Sequence, residues 1–346
     1  MRKGNFMVSI KDIAAALNVS TATVSKALND AKDISEKRKD QIIKKPEEIG
    51  NTPNPIARAL KTNKTYNLGV LFSDNADQGL AHDFFASILD SFKKRVEKAG
   101  YDITFINTSK EGRHGKSLLE HCRHRGFDGV FIACTDYEVD EMIELSKSNV
   151  PIVTVDYAYE GKPSVFSDND DGVRQLVKYA VDEGYKKIAY IHGEMSAVTK
   201  ERIDAFYDET AKAGLSITPG FVREGKYRDT LIAEKITNEI LDLPEKPDCI
   251  MYPDDYSALG GVNALMMRRI NIYNGIEVIG YDGILYKRGL PARITSFIQD
   301  TPGMGIAAAE LLLRCIKEPG YSDKIVVKGK LIEHKNIELM MGAKLP

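Results

Sequence analysis

Six aspartates stand at or just beyond the ends of short apolar runs: Asp74, Asp136, Asp156, Asp168, Asp255 and Asp282. An ionised carboxylate only accepts hydrogen bonds, so several converging on one cleft suit a ligand with many hydroxyls to donate. Arg202 adds a planar fork of five donors for ligand oxygens. Phe84, Phe85, Tyr137, Tyr256 and Tyr281 lie close to the same run ends and offer flat faces to the C–H side of a sugar ring. Any one of these aspartates reads equally well as a turn or helix-capping residue. It is the repetition that points to binding.

Two opposed carboxyls could also cleave a glycosidic bond. The chain, however, has no G-x-G-x-x-G after a strand, no phosphate-binding G-x-x-x-x-G-K-[ST], no H-E-x-x-H and no G-x-S-x-G. His114, His121 and His124 form a local trio beside Arg123 and Arg125. It has no carboxylate or thiol at matched positions, because Cys122 points elsewhere on the helix. The trio therefore reads as a solvated basic face. No catalytic residue, metal or cofactor is expected. Cys122, Cys134, Cys249 and Cys315 are far apart and lack a C-x-x-C pair, as free thiols in a reducing compartment would. No apolar run approaches the roughly 20 residues that span a bilayer, and the N-terminus has no signal-peptide core. A cytoplasmic protein without membrane contact is expected.

The elements that must position these residues follow from periodicity. Strands are expected at 68–72, 103–106, 129–133, 152–155, 165–167, 188–191, 249–252 and 278–280. Helices are expected at 84–99, 116–125, 139–148, 172–183, 200–213, 231–241, 258–269 and 303–316. Strands alternating with helices of this length build right-handed βαβ units and parallel sheets. In open α/β sheets, ligands bind beyond the carboxyl ends of the strands, where these aspartates fall. The 346 residues exceed one ordinary core, and about 280 of them carry this alternation.

The first 62 residues differ in kind. They carry 12 Lys or Arg against 7 Asp or Glu, a surplus of five, while the whole chain has a net charge of −2. A basic small domain on an acidic body suits contact with phosphates. Residues 9–29 read as two short helices around a turn at Asn18, a residue type that tolerates positive φ. Ser9 and Ser20 stand at the two N-cap positions, with Asp12 and Thr23 three places on. Ile10, Ile13 and Leu17 form one apolar stripe, and Val24 with Leu28 a second. The second helix is small-faced and rich in hydroxyls, so it could lie in a DNA major groove. A third helix spans residues 30–50, and then Pro53 and Pro55 hold the chain extended before a short helix at 56–61. Two turns of helix are marginal alone in water, so that segment needs a partner to form.

From Ser9 to Thr62, the helix-turn-helix and the run Pro53-Asn-Pro-Ile-Ala-Arg-Ala-Leu60 resemble the headpiece and hinge of the LacI/GalR family of bacterial transcription regulators. The resemblance implies a helix-turn-helix headpiece (residues 1–52) and a hinge helix with linker (53–64). It further implies an α/β periplasmic-binding-protein-like sensor of two parallel-sheet subdomains (65–346). Its first subdomain would take about 65–161 and 296–320, its second about 162–295 and 321–346. Base contacts are implied for Thr21, Ala22 and Lys26, and minor-groove insertion for Leu60 with Ala57 beside it. Ser20, Thr23, Ser25 and Asn29 complete the expected DNA-contacting set. Effector contacts are implied at Asp74, Arg202, Asp255 and Asp282, with Asp168-Asn169 at the mouth of the cleft. Asp136, Phe84 and Phe85 join them from their place at run ends. The expected partners are palindromic operator DNA, a carbohydrate effector and a second copy of the chain.

Four departures from the family pattern bear on the headpiece. Pro46 stands inside the third helix where Ala is usual, Asn51 replaces a packing aromatic, and Arg38 stands where Thr is common. Lys26 replaces the more usual Arg and loses bidentate reading of guanine. The reading is therefore a sugar-responsive repressor. The alternatives are a sugar sensor with impaired DNA binding and, less favoured, a carbohydrate-active enzyme.

Overall fold

A computed structural model describes residues 10–28, 34–48, 64–73, 79–271, 275–287 and 294–334. Asn29, Asn51, Asp74 and the whole hinge with Ala57 and Leu60 lie outside them.

The headpiece helices are α1 (Ile10–Leu17), α2 (Thr21–Leu28) and α3 (Glu36–Glu48). Asn18 takes the expected left-handed φ of 52°, and the Thr23 amide donates to Ser20 Oγ at 3.0 Å, capping α2. Val24 and Ala27 face inward onto Ile13, Ala14 and Ile42 in a small core of their own. The backbone of α3 runs on through Pro46. A proline there deletes the amide bond to the carbonyl four residues back and costs up to ~3 kcal/mol in a helix interior, less near an end. Pro46→Ala should raise the melting temperature of a 1–62 fragment measured by calorimetry. Equal values for the two fragments would remove the penalty from the account.

The remainder holds two parallel sheets. The first contains β1 (Asn67–Phe72), β2 (Asp102–Phe105), β3 (Gly129–Cys134), β4 (Ile152–Val155), β5 (Ser164–Ser167) and, late in the chain, β11 (Lys324–Val327). Their order is β11-β5-β4-β3-β1-β2. The second contains β6 (Ile188–His192), β7 (Val222–Glu224), β8 (Cys249–Met251), β9 (Glu277–Tyr281), β10 (Thr295–Ile298) and β12 (Lys330–Ile332). Their order is β12-β10-β9-β8-β6-β7, and only β12 runs antiparallel among the described strands. Helices cover both faces: α4 (Asp83–Glu97), α5 (Leu118–Arg125), α6 (Asp140–Lys147) and α12 (Thr301–Lys317) on the first sheet. On the second lie α7 (Asn169–Asp182), α8 (Ala197–Lys212), α9 (Thr230–Asp242), α10 (Asp255–Met267) and the short α11 (Ile284–Lys287).

The central strands are buried on both faces, which is why they read as unbroken apolar runs. Phe92 on α4 stacks on Phe131 of β3 at 4.2 Å, and burying each ring contributes roughly 2–3 kcal/mol. Gly305 lets α12 lie hard against α4, for a Cβ there would meet the Ile88 carbonyl at 2.2 Å.

Sheet membership corrects the expected division at three points. Ser164–Ser167 pairs with β4 and β11, so the first crossing falls at Asp168 and not at 161–162. Thr295–Ile298 pairs with β9, so the return begins after Ile298 and not at 296. Lys324–Val327 belongs to the first sheet, and only β12 lies in the second. Strand exchange between sheets is a non-local choice, and hydrophobic periodicity carries no record of it.

Candidate functional site

The carboxyl ends of β4 and β5 in the first sheet and of β6, β8 and β9 in the second bring a dense polar set together. Arg202, in the first turns of α8, is its centre. The side chain is only 5% exposed. Its Nε donates to Asn169 Oδ1 at 2.9 Å, Nη1 donates to the Pro253 carbonyl at 3.3 Å, and the guanidinium lies 3.7 Å from the centre of the Tyr281 ring. Burial works against this charge, but Tyr281, Tyr227 and Asp282 outweigh it and hold the group more firmly protonated.

Asp282 follows β9 in a left-handed conformation, φ 83°, and accepts from Gln299 Nε2 at 2.5 Å. Asp156 follows β4, also left-handed at φ 52°, and accepts from the Ser167 amide at 2.9 Å. Burial pushes its carboxyl up to about 6, against the pull of the Ser167 amide and of Arg202. Ser167 Oγ and Tyr281 Oη are buried beside this group with no hydrogen-bond partner among the described residues. Two orphaned hydroxyls next to a cation and two carboxylates leave donors and acceptors for a polar ligand.

Other expected ligands also hold bonds within the fold. Asp255 is fully buried, with Oδ1 accepting from Ser296 Oγ at 2.6 Å and Oδ2 from the Leu285 amide at 3.2 Å. It ties α10 to β10 and α11 from a fully buried position, where an effector contact had been expected. Gly280 makes the room, since a Cβ there would sit 2.3 Å from the same carboxylate. Its neighbour Asp254 caps α10 through the Ser257 amide, 2.9 Å. Asp168 caps α7 through the Asp171 amide, 3.3 Å, and Asp136 holds a turn through the Glu138 amide, 3.1 Å, on the exposed surface. In each, a local capping or turn bond occupies one carboxylate oxygen.

Phe84 and Phe85 meet edge-on at 5.0 Å, and Phe85 packs on Phe72 and His82 at the end of β1. Tyr137 stacks face to face on Tyr157 at 4.5 Å and donates its hydroxyl to the Val155 carbonyl at 2.8 Å. Sequence reading passed over Asp83. Its Oδ2 accepts from Arg228 Nη2 at 3.1 Å and from Tyr256 Oη at 3.0 Å. Asp83 opens α4 in the first unit, whereas Arg228 and Tyr256 belong to the second, so this carboxylate bridges the two. Its place at the head of a helix looks like capping, which hid the role.

Three buried carboxyls set the acid response. Burial raises Asp255 to about 7 and Asp254 to about 6, the neighbouring Asp282 adding to both, and Asp156 stands at about 6. An unfolded aspartate titrates near 3.9. Between about pH 4 and pH 7 the folded chain therefore keeps protons that the unfolded chain has lost, and stability falls as pH rises through that window. The melting temperature should be higher at pH 5.5 than at pH 8. Asp255→Asn should shrink that difference, because its amide can donate to Ser296 and accept from Leu285 without any charge. A melting temperature that rises from pH 5.5 to pH 8 would contradict the raised carboxyls.

On the headpiece, Thr21, Ala22 and Lys26 lie exposed on one side of α2, opposite the buried Val24 and Ala27. Ser20 is exposed, and Thr23 and Ser25 are partly so. Of the histidine trio, His114 and His124 lie exposed as expected, whereas His121 is nine-tenths buried. No helix among the described residues is long and apolar enough to cross a membrane.

Comparison with known proteins matches this layout piece by piece. Residues 9–54 match the family described as bacterial regulatory proteins, lacI family, and residues 65–337 match that described as periplasmic binding proteins and sugar binding domain of LacI family. The HTH-type transcriptional repressor PurR of Haemophilus influenzae (strain PittEE) is 27% identical over 342 residues, covering 97% of this chain and all of that protein. PurR of Vibrio parahaemolyticus serotype O3:K6 is 28% identical over 327 residues, covering 92% of this chain and 95% of the other. Among solved structures, the lac repressor dimer bound to operator and the anti-inducer ONPF superposes with a TM-score of 0.72 at 22% identity, covering 94% of this chain and 98% of that one. A complex of the transcriptional regulator CelR with cellobiose gives 0.69 at 21% identity, with the same coverage.

Proposed function

Because the chain belongs to the LacI family of bacterial regulatory proteins, a family of DNA-binding transcription regulators with ligand-binding sensors, we propose that it is a repressor. It acts as a homodimer on a palindromic operator and is controlled by a carbohydrate held between its two sheets. The observation that carries the carbohydrate reading is the Arg202, Asp156 and Asp282 cluster with the orphaned hydroxyls of Ser167 and Tyr281. A polyol has both donors and acceptors to satisfy all of them, and the neighbouring rings suit its apolar face. In support of DNA binding, α2 presents Thr21, Ala22 and Lys26 on its exposed side, away from Val24 and Ala27. Ala57 and Leu60 are assigned to the minor groove from the family pattern, and Asp74 to the effector.

The mechanism is linkage. An effector that prefers one closure state changes the distance between the two hinges of a dimer, and with it the stability of the hinge helices on DNA. Operator and effector then affect each other's affinity by the same factor.

A thermal-shift screen of mono- and disaccharides with the full chain tests the effector class. A ligand at 100 times its Kd stabilises by about 2.7 kcal/mol, or roughly 5–10 °C for a domain of this size. A nucleobase that stabilises while every sugar fails would replace the carbohydrate reading, a comparison worth making beside relatives named PurR. Gel shift on a palindromic operator, with and without the hit, tests repression. An effector that binds while no operator does would favour a sensor whose headpiece no longer grips DNA.

A further inference from the structure

We infer that the first α/β unit carries a second ligand site, a basic pocket beside its edge strand β2 that takes a phosphoryl group. The pocket has a volume of about 220 Å³ and is walled by His114, Lys116, His121, His124 and Arg125, with Arg113 behind them. None of these residues belongs to the cleft between the sheets. A volume below the roughly 300–1,000 Å³ of drug-sized sites suits a single oxyanion or a small phosphorylated metabolite.

The pocket is built, not incidental. Arg113 is 2% exposed, and its guanidinium donates to the carbonyls of Asn107, Thr108 and Lys116 at 3.1, 2.9 and 3.3 Å and to Glu141 at 2.5 Å. That side chain staples the loop between β2 and α5 into one shape, so the groups on it are held in place. His121 is nine-tenths buried and lines the cavity.

The charge around it has one sign. Lys116, His124 and Arg125 have no carboxylate partner among the described residues. Of the carboxylates on these elements, Glu141 is engaged by Arg113 and Glu120 by the Ser117 amide in the α5 capping box, while Glu111 lies exposed on the loop. Burial, then Arg125, Arg113, His124 and Lys116, hold the His121 imidazole below its usual pKa in the empty pocket. A bound dianion would reverse that balance: His121 would take up a proton and donate to an anion oxygen beside Lys116 and Arg125. Phosphate and sulfate share this geometry, whereas a neutral sugar gains nothing from it.

Isothermal titration calorimetry on the full chain at low ionic strength tests the site, with sulfate, inorganic phosphate, glycerol 3-phosphate and glycerol as probes. Sulfate keeps its charge between pH 6 and pH 8, so any change in its binding reports the pocket histidines. It should bind at least five-fold more tightly at pH 6. Glycerol should give no heat. Glycerol 3-phosphate binding ten-fold more tightly than phosphate would identify a phosphorylated metabolite, and equal binding would identify free phosphate. His121→Gln should cost at least ten-fold at pH 6, and the surface changes Lys116→Gln and Arg125→Gln should each cost several-fold should the first variant fold poorly. Asp282→Asn in the cleft should leave these affinities unchanged. No saturable binding of any oxyanion, or binding untouched by all three pocket substitutions, overturns the proposal.

Discussion

Arg202→Ala should abolish the response to effector and weaken the fold by about 3 kcal/mol. The two effects have one origin. The guanidinium is buried and joins Asn169 of α7, the Pro253 carbonyl ahead of α10 and the Tyr281 ring at the end of β9. Deleting it leaves the Asn169 oxygen and a backbone carbonyl buried without their donor, at about 1–3 kcal/mol each for groups paired with a charge. It also removes the cation that opposes the rise of Asp156, so that carboxyl moves further above its present value of about 6. A neutral Asp156 at pH 7 no longer accepts from a ligand as a carboxylate does. Urea denaturation reads the stability loss, and calorimetry with the hit from the sugar screen should show effector affinity down by at least a hundred-fold. Arg202→Lys separates charge from shape: it keeps the cation but loses the flat fork that spans Asn169 and Pro253. It should recover part of the stability and little of the affinity. Effector binding within three-fold of wild type in Arg202→Ala would mean that the cleft is not organised around this group.

Arg202 was legible in the sequence because a lone arginine early in a helix, after a buried strand, has few other uses. Asp282 was legible for a related reason, since it ends a run of buried β residues. Asp255 misled, because its position before an apolar helix looks the same whether it caps, binds or ties two elements together. Only the placement of Ser296, 41 residues away, decides that. The central strands announced themselves as apolar runs. The four that went unpredicted did not: β11 begins at Lys324, β12 at Lys330, β7 has charged Arg223 and Glu224, and β10 opens Thr-Ser. β7, β11 and β12 lie at sheet edges, where one side meets less of the core and the apolar signal thins, whereas β10 is buried but opens on two hydroxyl residues. The crossing points at Asp168 and after Ile298 were misplaced for the same reason, as strand pairing over long separations is set by tertiary packing.

Asp83→Ala should lower effector affinity by roughly ten- to a hundred-fold without touching any group proposed to contact the effector. Asp83 sits 145 residues from Arg228 and 173 from Tyr256, yet both donate to the same oxygen of its carboxylate. Arg228 is almost buried, its guanidinium lies 4.3 Å from the centre of the Tyr256 ring, and its own amide is held by Asp254 at 2.7 Å. The second unit thus presents a rigid, preset pair of donors, and the first supplies the anion that meets them. Opening the cleft must separate these groups, so the bridge weighs on the closed side of the equilibrium. Breaking one member of a buried charged pair costs about 3–5 kcal/mol, and the partial exposure of Asp83, 22%, reduces that to about 2. Each 1.4 kcal/mol shifts a two-state population ten-fold, and a ligand that needs the closed state loses affinity in proportion. Operator affinity should move too, in the direction that effector removal moves it, because both sites read the same equilibrium. Small-angle scattering supplies the independent readout: the variant without ligand should show a larger radius of gyration, and saturating effector should restore the wild-type value. An unchanged radius together with unchanged affinity would show that closure does not depend on this carboxylate.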